Sequence, residues 1–201
     1  GVSGLNDPGS IHYDAATDRL FVVDGGNHRI LTFDVTPDSL ETGMSAQTVI
    51  GQSDFDANQP GVGAARLDRP SRLSFDHLTE RLFVADGGNQ RVLVFDVRPA
   101  ALDLGSTATH VLGQDTFGTS ERRVDLRKLA PGQMILNRRQ QQLMVNEGTV
   151  ANRTLVFDVH PDRIENNPDA MAVLFQKDFE KSERRTSQIY ENSPRPFLDE
   201  D

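Results

Sequence analysis

A 62-residue repeat is the feature that most constrains the fold of this chain. The sequence V-I-G-Q at residues 49–52 returns as V-L-G-Q at 111–114 and as V-L-F-Q at 173–176. A Phe-Asp-Val triplet, first met at 33–35, recurs twice at the same spacing. Periods in this range are typical of propellers and solenoids, in which a single unit cannot bury its apolar face alone. We therefore predict one array of three units with a shared core.

Each unit contains four short runs rich in Val, Ile, Leu and Phe, separated by Gly, Pro and Asp. In the first unit the runs lie at 10–14, 20–24, 30–35 and 48–51. Runs of this length and composition predict strands rather than helices. The sequence thus predicts an all-β fold, a β-propeller built of four-stranded antiparallel blades. The three blades are expected at about 1–62, 63–124 and 125–176.

The second unit aligns with the first without a gap. The third needs one residue removed before Pro131 and one added between Glu147 and Arg153. Only the segments at 39–46 and 161–172 are open to a helical interpretation, and both are polar enough to be loops.

Three blades leave sheet faces uncovered, because propellers close with roughly four to eight blades. The chain is therefore predicted to be half, or a fragment, of a six-bladed ring. A second copy, a longer parent protein or a different protein partner could cover the open ends. Residues 1–62 carry a net charge of −7, whereas 63–124 are balanced, and this difference favours head-to-tail contact between copies.

Composition excludes several classes of function. The chain has no cysteine, so it has neither disulfides nor thiolate metal sites. Its net charge of −9 disfavours nucleic acid as a partner, since an acidic surface repels phosphates. No apolar run approaches the roughly 20 residues of a membrane span, which argues against membrane insertion. The chain begins with Gly1 rather than methionine, which fits a secreted or periplasmic protein after signal removal.

The segment 81–96, R-L-F-V-A-D-G-G-N-Q-R-V-L-V-F-D, resembles the NHL repeat, and D-G-G-N-H-R-I at 24–30 matches the same pattern. The element V-L-G-Q-D-T-F at 111–117 is similar to that of long-repeat bacterial NHL proteins, which are often exported. The resemblance implies a propeller that binds proteins. It also leaves open the activities of a minority of such propellers, the amidating lyases and the calcium-dependent lactonase-like enzymes. The third unit departs from the pattern at 147–153.

An acidic residue ends the second strand of every unit, and an arginine begins the third. The three pairs are Asp24 with Arg29, Asp86 with Arg91, and Glu147 with Arg153. The carboxylates could surround an axial ion, or each pair could clamp its own hairpin. Recurrence in every unit favours the clamp, because functional sites in repeat proteins are usually built where the symmetry is broken. The Gly pairs at 25–26 and 87–88 are expected to supply positive φ in tight turns, with the following Asn bonded to local backbone.

Histidines and further carboxylates give weaker signals. The candidates for zinc binding or general-base chemistry are His12, His28, His77, His110 and His160. None recurs between units, and only His12 is expected near the propeller axis, where ligands from several blades could meet. Calcium remains possible at acidic residues that lack the regular spacing of a calcium loop. These residues are Asp7, Asp14, Asp18, Asp54 and Asp56. We assign no catalytic residue, no metal ligand and no cofactor.

The polar segment 177–201 is predicted to be a C-terminal arm that contacts a protein through Phe179, Tyr190 and Phe197. We expect a non-catalytic protein-interaction scaffold or assembly subunit. A metal-dependent propeller lyase or lactone hydrolase, using calcium or zinc, is the first alternative. A structural subunit of a filament or large extracellular complex is the second.

Overall fold

Three four-stranded antiparallel sheets make up the fold. The computed structural model describes residues 4–121, 131–147 and 151–176. Blade 1 contains β1 (Pro8–Asp14), β2 (Arg19–Asp24), β3 (Arg29–Asp34) and β4 (Thr48–Ile50). Blade 2 contains β5 (Pro70–Asp76), β6 (Arg81–Asp86), β7 (Arg91–Asp96) and β8 (His110–Leu112). Blade 3 contains β9 (Met134–Asn137), β10 (Gln142–Asn146), β11 (Thr154–Asp158) and β12 (Ala172–Leu174).

Within each sheet the strands are hydrogen-bonded in chain order. The register repeats with the sequence: Leu31 faces Val49, Leu93 faces Val111, and Leu155 faces Val173. The second and third strands of each sheet are mostly runs of apolar residues such as Val, Ile, Leu and Phe, and successive side chains point to opposite faces of the sheet. Every sheet therefore has apolar side chains on both faces. The predicted all-β fold with four-stranded antiparallel units is confirmed.

The core lies between the sheets. We call the face of a blade that the next blade covers its rear face, and the face that packs on the preceding blade its front face. The rear face of blade 1, with Phe21 and Ile30, packs on the front face of blade 2, with Leu82 and Phe95. The rear face of blade 2 packs in the same way on blade 3, around Phe83. Side chains such as these are fully buried, and burying one contributes about 1.5–3 kcal/mol.

The Gly-Gly-Asn turns differ from the expectation in one respect. Both form a single 3-10 turn, at Gly25–Asn27 and Gly87–Asn89, and the left-handed residues are His28 (φ 56°) and Gln90 (φ 54°) rather than the glycines. Glycine is needed for close approach instead, since a Cβ at Gly88 would lie 2.4 Å from the Asp68 carboxyl group. The predicted positive φ at the glycines is therefore wrong.

The predicted role of the asparagines in these turns also needs correction. Asn27 Nδ2 donates to the Asp24 carboxylate at 3.0 Å, and Asn89 Nδ2 donates to Asp86 Oδ2 at 2.9 Å. Asn89 reaches backbone only at Gly61, which is distant in sequence. The carboxylate that ends the second strand is thus the main local partner of both amides.

The segments at 39–46 and 161–172 form turns and irregular connections, not helices, and the last residue, Ala172, already belongs to β12. Within the described ranges no helix is long and apolar enough to cross a membrane. The predicted contact residues Phe179, Tyr190 and Phe197 lie outside the described residues.

Candidate functional site

Each acid–arginine pair lies buried at the turn between the second and third strands of its blade. Asp24 Oδ2 accepts a hydrogen bond from Arg29 Nε at 2.7 Å, and Asp86 Oδ2 accepts one from Arg91 Nε at the same distance. In blade 3, Glu147 Oε2 accepts from Arg153 Nε at 2.5 Å. Asp24 and Asp86 also accept a backbone N–H 18 residues upstream. The same carboxylate–Nε hydrogen bond is therefore present in all three blades, with a glutamate and one extra residue of spacing in blade 3.

Both Nη atoms of Arg91, and Nη1 of Arg29, donate to backbone carbonyls. Arg91 Nη1 donates to Phe117 O at 2.5 Å, and its Nη2 donates to Gly63 O and Arg66 O at 3.0 Å each. Arg29 Nη1 donates to Phe55 O, the equivalent acceptor in blade 1. Burial raises the pKa of Asp86, and the Arg91 guanidinium opposes that rise. Since Asp86 and Arg91 have no exposed surface, neither can reach a ligand in solution.

A second set of arginines joins one blade to the next, a role that sequence reasoning did not find. Arg19 Nη1, at the start of β2, donates to Val97 O of blade 2 at 2.6 Å. Arg81, its equivalent in blade 2, donates to Val159 O of blade 3 at 2.7 Å. In blade 3 the equivalent residue is Gln142, which faces Asp158 as Arg81 faces Asp96. Blade 3 therefore lacks the arginine that fastens blades 1 and 2 to their successors.

A cavity of about 450 Å³ lies where the first strands of the three blades end. We call it the inner-strand pocket. It is lined by His12, Tyr13, Asp14, Ala15, Ala16, Phe75, His77 and Arg138. Strands β1, β5 and β9 lie side by side, and this arrangement brings His12 of blade 1, His77 of blade 2 and Arg138 of blade 3 to one place. His12 was predicted near the axis, and His77 was a candidate without a predicted location, whereas no sequence pattern pointed to Arg138.

Charged groups in the inner-strand pocket have distinct environments. The His12 ring packs against Phe75 with ring centroids 5.1 Å apart. Burial lowers the pKa of His12, and the Arg138 guanidinium lowers it further. Arg138 Nη2 donates to Phe75 O at 2.9 Å. Although burial alone would raise the pKa of Asp14, hydrogen bonds from Thr17 and Arg19 hold it below its ordinary value.

The remaining histidine and carboxylate candidates lie apart from one another. His28 Nδ1 accepts from Arg69 N, His110 contacts Thr109 Oγ1, and His160 Nδ1 accepts from Asp162 N. Asp54 caps a local turn by accepting from Asp56 N and Ala57 N. Across residues 4–121, 131–147 and 151–176 there is no group of three or more His, Asp or Glu that could hold a metal ion. No calcium site can therefore be assigned among these residues.

The β1 part of the front face of blade 1 is exposed where the equivalent part of blade 2 is covered, whereas Leu31 and Val49, deeper on the same face, are fully buried. Tyr13 is 50 % exposed, whereas Phe75, its equivalent in blade 2, is 1 % exposed beneath blade 1. Ile11 is 66 % exposed, whereas its equivalent Leu73 packs into the core between blades 1 and 2. The β1 part of the front face of blade 1 thus exposes apolar side chains that are covered at the equivalent positions of blade 2.

The rear face of blade 3 departs from the pattern of the other two rear faces. Asn146 and Thr154 stand where blade 2 has the buried Ala85 and Val92. Together with Ile135, Met144, Leu174 and Phe175 they line a second cavity of about 450 Å³. Phe175 is 63 % exposed and left-handed (φ 71°) at a position where blades 1 and 2 have glycine. In blade 1 the equivalent glycine is Gly51, and a Cβ there would lie 2.5 Å from Leu67 of blade 2, the blade that covers it. A further blade that packed on blade 3 as blade 2 packs on blade 1 would therefore collide with the Phe175 side chain.

Comparison with known proteins supports the fold. No protein-family model and no curated protein sequence matches the chain. Several solved structures do match. A candidate 6-phosphogluconolactonase from Bacteroides fragilis has a TM-score of 0.53 and 14% identity, over 84% of this chain and 42% of that one. Another, from Bacteroides uniformis, has a TM-score of 0.52 and 14% identity, over 82% of this chain and 43% of that one.

The periplasmic gluconolactonase PpgL of Pseudomonas aeruginosa also matches, with a TM-score of 0.51 and 16% identity, over 90% of this chain and 41% of that one. The chain therefore spans about two fifths of the length of these structures. Likeness at this identity shows the fold alone. The described residues form three blades of a β-propeller, part of a larger ring, as predicted. Membership of the NHL family stays a prediction.

Proposed function

We propose that this chain is a non-catalytic protein-interaction scaffold whose front face on blade 1 receives a propeller blade. The observation that carries the proposal is the contrast between Tyr13, 50 % exposed, and its equivalent Phe75, 1 % exposed under blade 1. Ile11, the neighbouring front-face residue of β1, is 66 % exposed, whereas Leu31, deeper on the same face, is fully buried. Exposed apolar side chains such as Ile11 and Tyr13, grouped on one strand, mark interaction sites.

The partner is inferred from what covers the equivalent faces of blades 2 and 3. In both, the covering rear face carries apolar residues from its second and third strands, and an arginine reaches the carbonyl at the end of the third strand of the covered blade. Val35, the blade 1 equivalent of Val97 and Val159, is half-buried. We therefore expect a conventional blade with an arginine at the start of its second strand.

Blade 3 of a second copy fits this description poorly. Gln142 replaces the arginine, and Phe175 occupies the glycine position that the following blade approaches, through Leu67 in blade 2 and through its equivalent Leu5 in blade 1. These features disfavour head-to-tail closure by identical copies and favour a blade from another protein or another part of a longer one. An extracytoplasmic location remains our expectation, and the fold likeness to a periplasmic protein is compatible with it. A structural subunit of a filament or large extracellular complex remains an alternative. It would differ from the scaffold in the number of copies in the assembly.

Site-specific photocrosslinking tests the proposal. A photoreactive residue in place of Ile11 should crosslink the protein, in its native host, to a peptide with blade sequence of the V-A-D-x-G-N-x-R type. The same residue in place of Leu78, which is equally exposed at 66 % but lies in the turn after β5, is the matched control. Crosslinking at position 11 no stronger than at position 78, or to a peptide without blade sequence, would refute the proposal.

Lactone hydrolysis is the second candidate function. Solved structures of similar fold are named as lactonases, and the inner-strand pocket brings histidines from two blades together. Its one carboxylate, Asp14, already accepts from Ala16 N, Thr17 Oγ1 and Arg19 Nη2. It is therefore poorly placed to act as a base, since a base needs a free lone pair toward the substrate. An assay of glucono-δ-lactone hydrolysis by wild type and His12→Gln distinguishes the two functions: loss of measurable hydrolysis in the variant would favour the enzyme.

A further inference from the structure

The inner-strand pocket breaks the repeat symmetry of the molecule. Ala15, His77 and Arg138 occupy equivalent positions in the three blades, at the first turn residue after the inner strand. Immediately beside them the symmetry is kept in blades 1 and 2, where Asp14 and Asp76 both accept from a threonine three residues on. Packing alone gives no reason for a histidine and an arginine to replace alanine at one place. Sites with a function in repeat proteins arise where equivalent positions diverge in this way.

The divergent residues have unused hydrogen-bonding capacity. In the described part of the chain, His77 is exposed and makes no hydrogen bond, and Arg138 uses Nε and Nη2 on Phe75 O while Nη1 has no partner. An arginine held by two bonds to a backbone carbonyl keeps its remaining N–H groups in a fixed direction. Such a guanidinium is suited to a planar carboxylate.

The charge of the pocket favours a singly charged anion. Arg138 is its only permanently charged cation among the lining residues. Asp14 is the only carboxylate, and Arg19 lies 2.9 Å from it and neutralises it. His12 is half-buried between the Phe75 ring and the cavity. A phosphate dianion would need more than one cation to offset its dehydration, whereas one guanidinium suffices for a carboxylate.

The rest of the lining is small or apolar. Ala15 and Ala16 form the wall on blade 1, and the ring of His12 lies against Phe75. A cavity of about 450 Å³ is within the usual range for a small-molecule site. Apolar walls contribute to affinity by removing ligand hydrocarbon from water.

We propose that the inner-strand pocket binds a small monocarboxylate with an apolar body. The carboxylate pairs with Arg138 Nη1 and accepts hydrogen bonds from His77 and His12, and the apolar body lies along Ala15 and Ala16. The contacts proposed here lie on the face of β1 opposite Ile11, because His12 and Ile11 alternate along the strand; Tyr13 alone belongs both to the pocket lining and to the front face of blade 1.

The test is a calorimetric titration of the purified chain with four probes. 3-Phenylpropionate is the expected ligand, 3-phenylpropanol its neutral counterpart, gluconate a polar monocarboxylate and glucose 6-phosphate a sugar phosphate. We expect saturable binding of 3-phenylpropionate, with affinity at least about tenfold above that of each other probe, as one charge-assisted pair predicts. Equal binding of the alcohol, or tighter binding of gluconate or the phosphate, would overturn the proposed ligand class. No saturable binding of any probe would overturn the site.

Two adjacent arginines give a matched pair of variants. Arg138→Gln should weaken 3-phenylpropionate binding at least about tenfold, whereas Arg139→Gln, an exposed residue outside the pocket, should leave it unchanged. Arg138 also bonds to blade 2, so its replacement could weaken binding by disturbing the fold. His77→Ala is therefore a second variant: it removes a hydrogen-bond donor from the pocket but breaks no hydrogen bond among the residues that the structure describes, and it too should weaken binding. Equal affinities for wild type, His77→Ala and Arg138→Gln would overturn the assignment of the contacts.

Discussion

Buried ion pairs between consecutive strands are the most regular side-chain feature of this protein. Each carboxylate is held by an arginine, and in blades 1 and 2 also by an asparagine amide and a backbone N–H. Removing any one of these donors leaves a buried carboxylate with an unsatisfied charge, which lowers the free energy of unfolding. The pairing was predictable from sequence because the acid and the arginine keep a spacing of five residues across a hairpin in blades 1 and 2.

Removing one partner of such a pair should be costly. In Arg91→Met, Asp86 stays buried without its cation, and three carbonyls lose a donor. We expect a loss of about 3–5 kcal/mol in the free energy of unfolding, measured by urea denaturation. Arg98→Met is the control, since Arg98 pairs with Asp96 but is 62 % exposed, and it should change stability little. Equal losses in the two variants would contradict a structural role for the buried pair.

Stability should depend on His12 between neutral and mildly acidic pH. Burial and the Arg138 guanidinium lower the pKa of His12, while Asp14 opposes them and the nearby His77 adds to the lowering. The unfolded chain therefore binds a proton more readily than the folded one, and stability falls as the pH drops from about 6.5 through the folded pKa. Urea denaturation at several pH values should show a smaller decline for His12→Gln than for wild type. Identical pH profiles would contradict this assignment.

The hydrogen bonds that join one blade to the next connect whole sheets, and they could not be predicted from the sequence. Arg19 and Arg81 appear on the chain as ordinary strand-initial arginines, yet each reaches a carbonyl 78 residues away. Only the packing of one sheet on another makes that contact visible. The left-handed Phe175 is a similar case, because its significance depends on Leu67 approaching the equivalent Gly51.

Arg81 should control how tightly blade 3 is held. Arg81→Met removes hydrogen bonds to Gln141 and Val159, so we expect faster amide hydrogen exchange in β9–β12 with β1–β4 unchanged. Arg163→Met, which removes an exposed ion pair with Asp158 inside blade 3, is the control and should have little effect. Uniform acceleration across all three blades, or none, would be inconsistent with a local fastening role.

The repeat also includes one predicted contact residue. Phe179 stands 62 residues after Phe117, and the carbonyls of Phe117 and Phe55 accept hydrogen bonds from the clamp arginines. Phe179 thus occupies the third position of the same repeat, and because it lies outside the described residues its predicted contact with another protein stays a prediction. Tyr190 and Phe197 have no such equivalents, and their contact role stays a prediction.

At the scale of the whole molecule, the two ends of the array are unlike. The 62-residue period fixed the number of blades and their strand order, because alignment of three units needs only length and apolar pattern. It could not reveal that the front face of blade 1 is conventional while the rear face of blade 3 carries Asn146, Thr154 and Phe175 at positions that are apolar or glycine elsewhere. Capping units of repeat arrays are altered in this manner to prevent further stacking.

Restoring the conventional pattern on blade 3 tests this account most directly. The variant Gln142→Arg, Asn146→Ala, Thr154→Val, Phe175→Gly should present a rear face that the front face of blade 1 in a second copy can cover. Sedimentation analysis at micromolar concentration should then give at least twice the 22.3 kDa chain mass. Adding Ile11→Glu should return it to 22.3 kDa, whereas adding Leu78→Glu should not. If the fourfold variant stays at the mass of one chain, the claim that the front face of blade 1 binds a blade is contradicted.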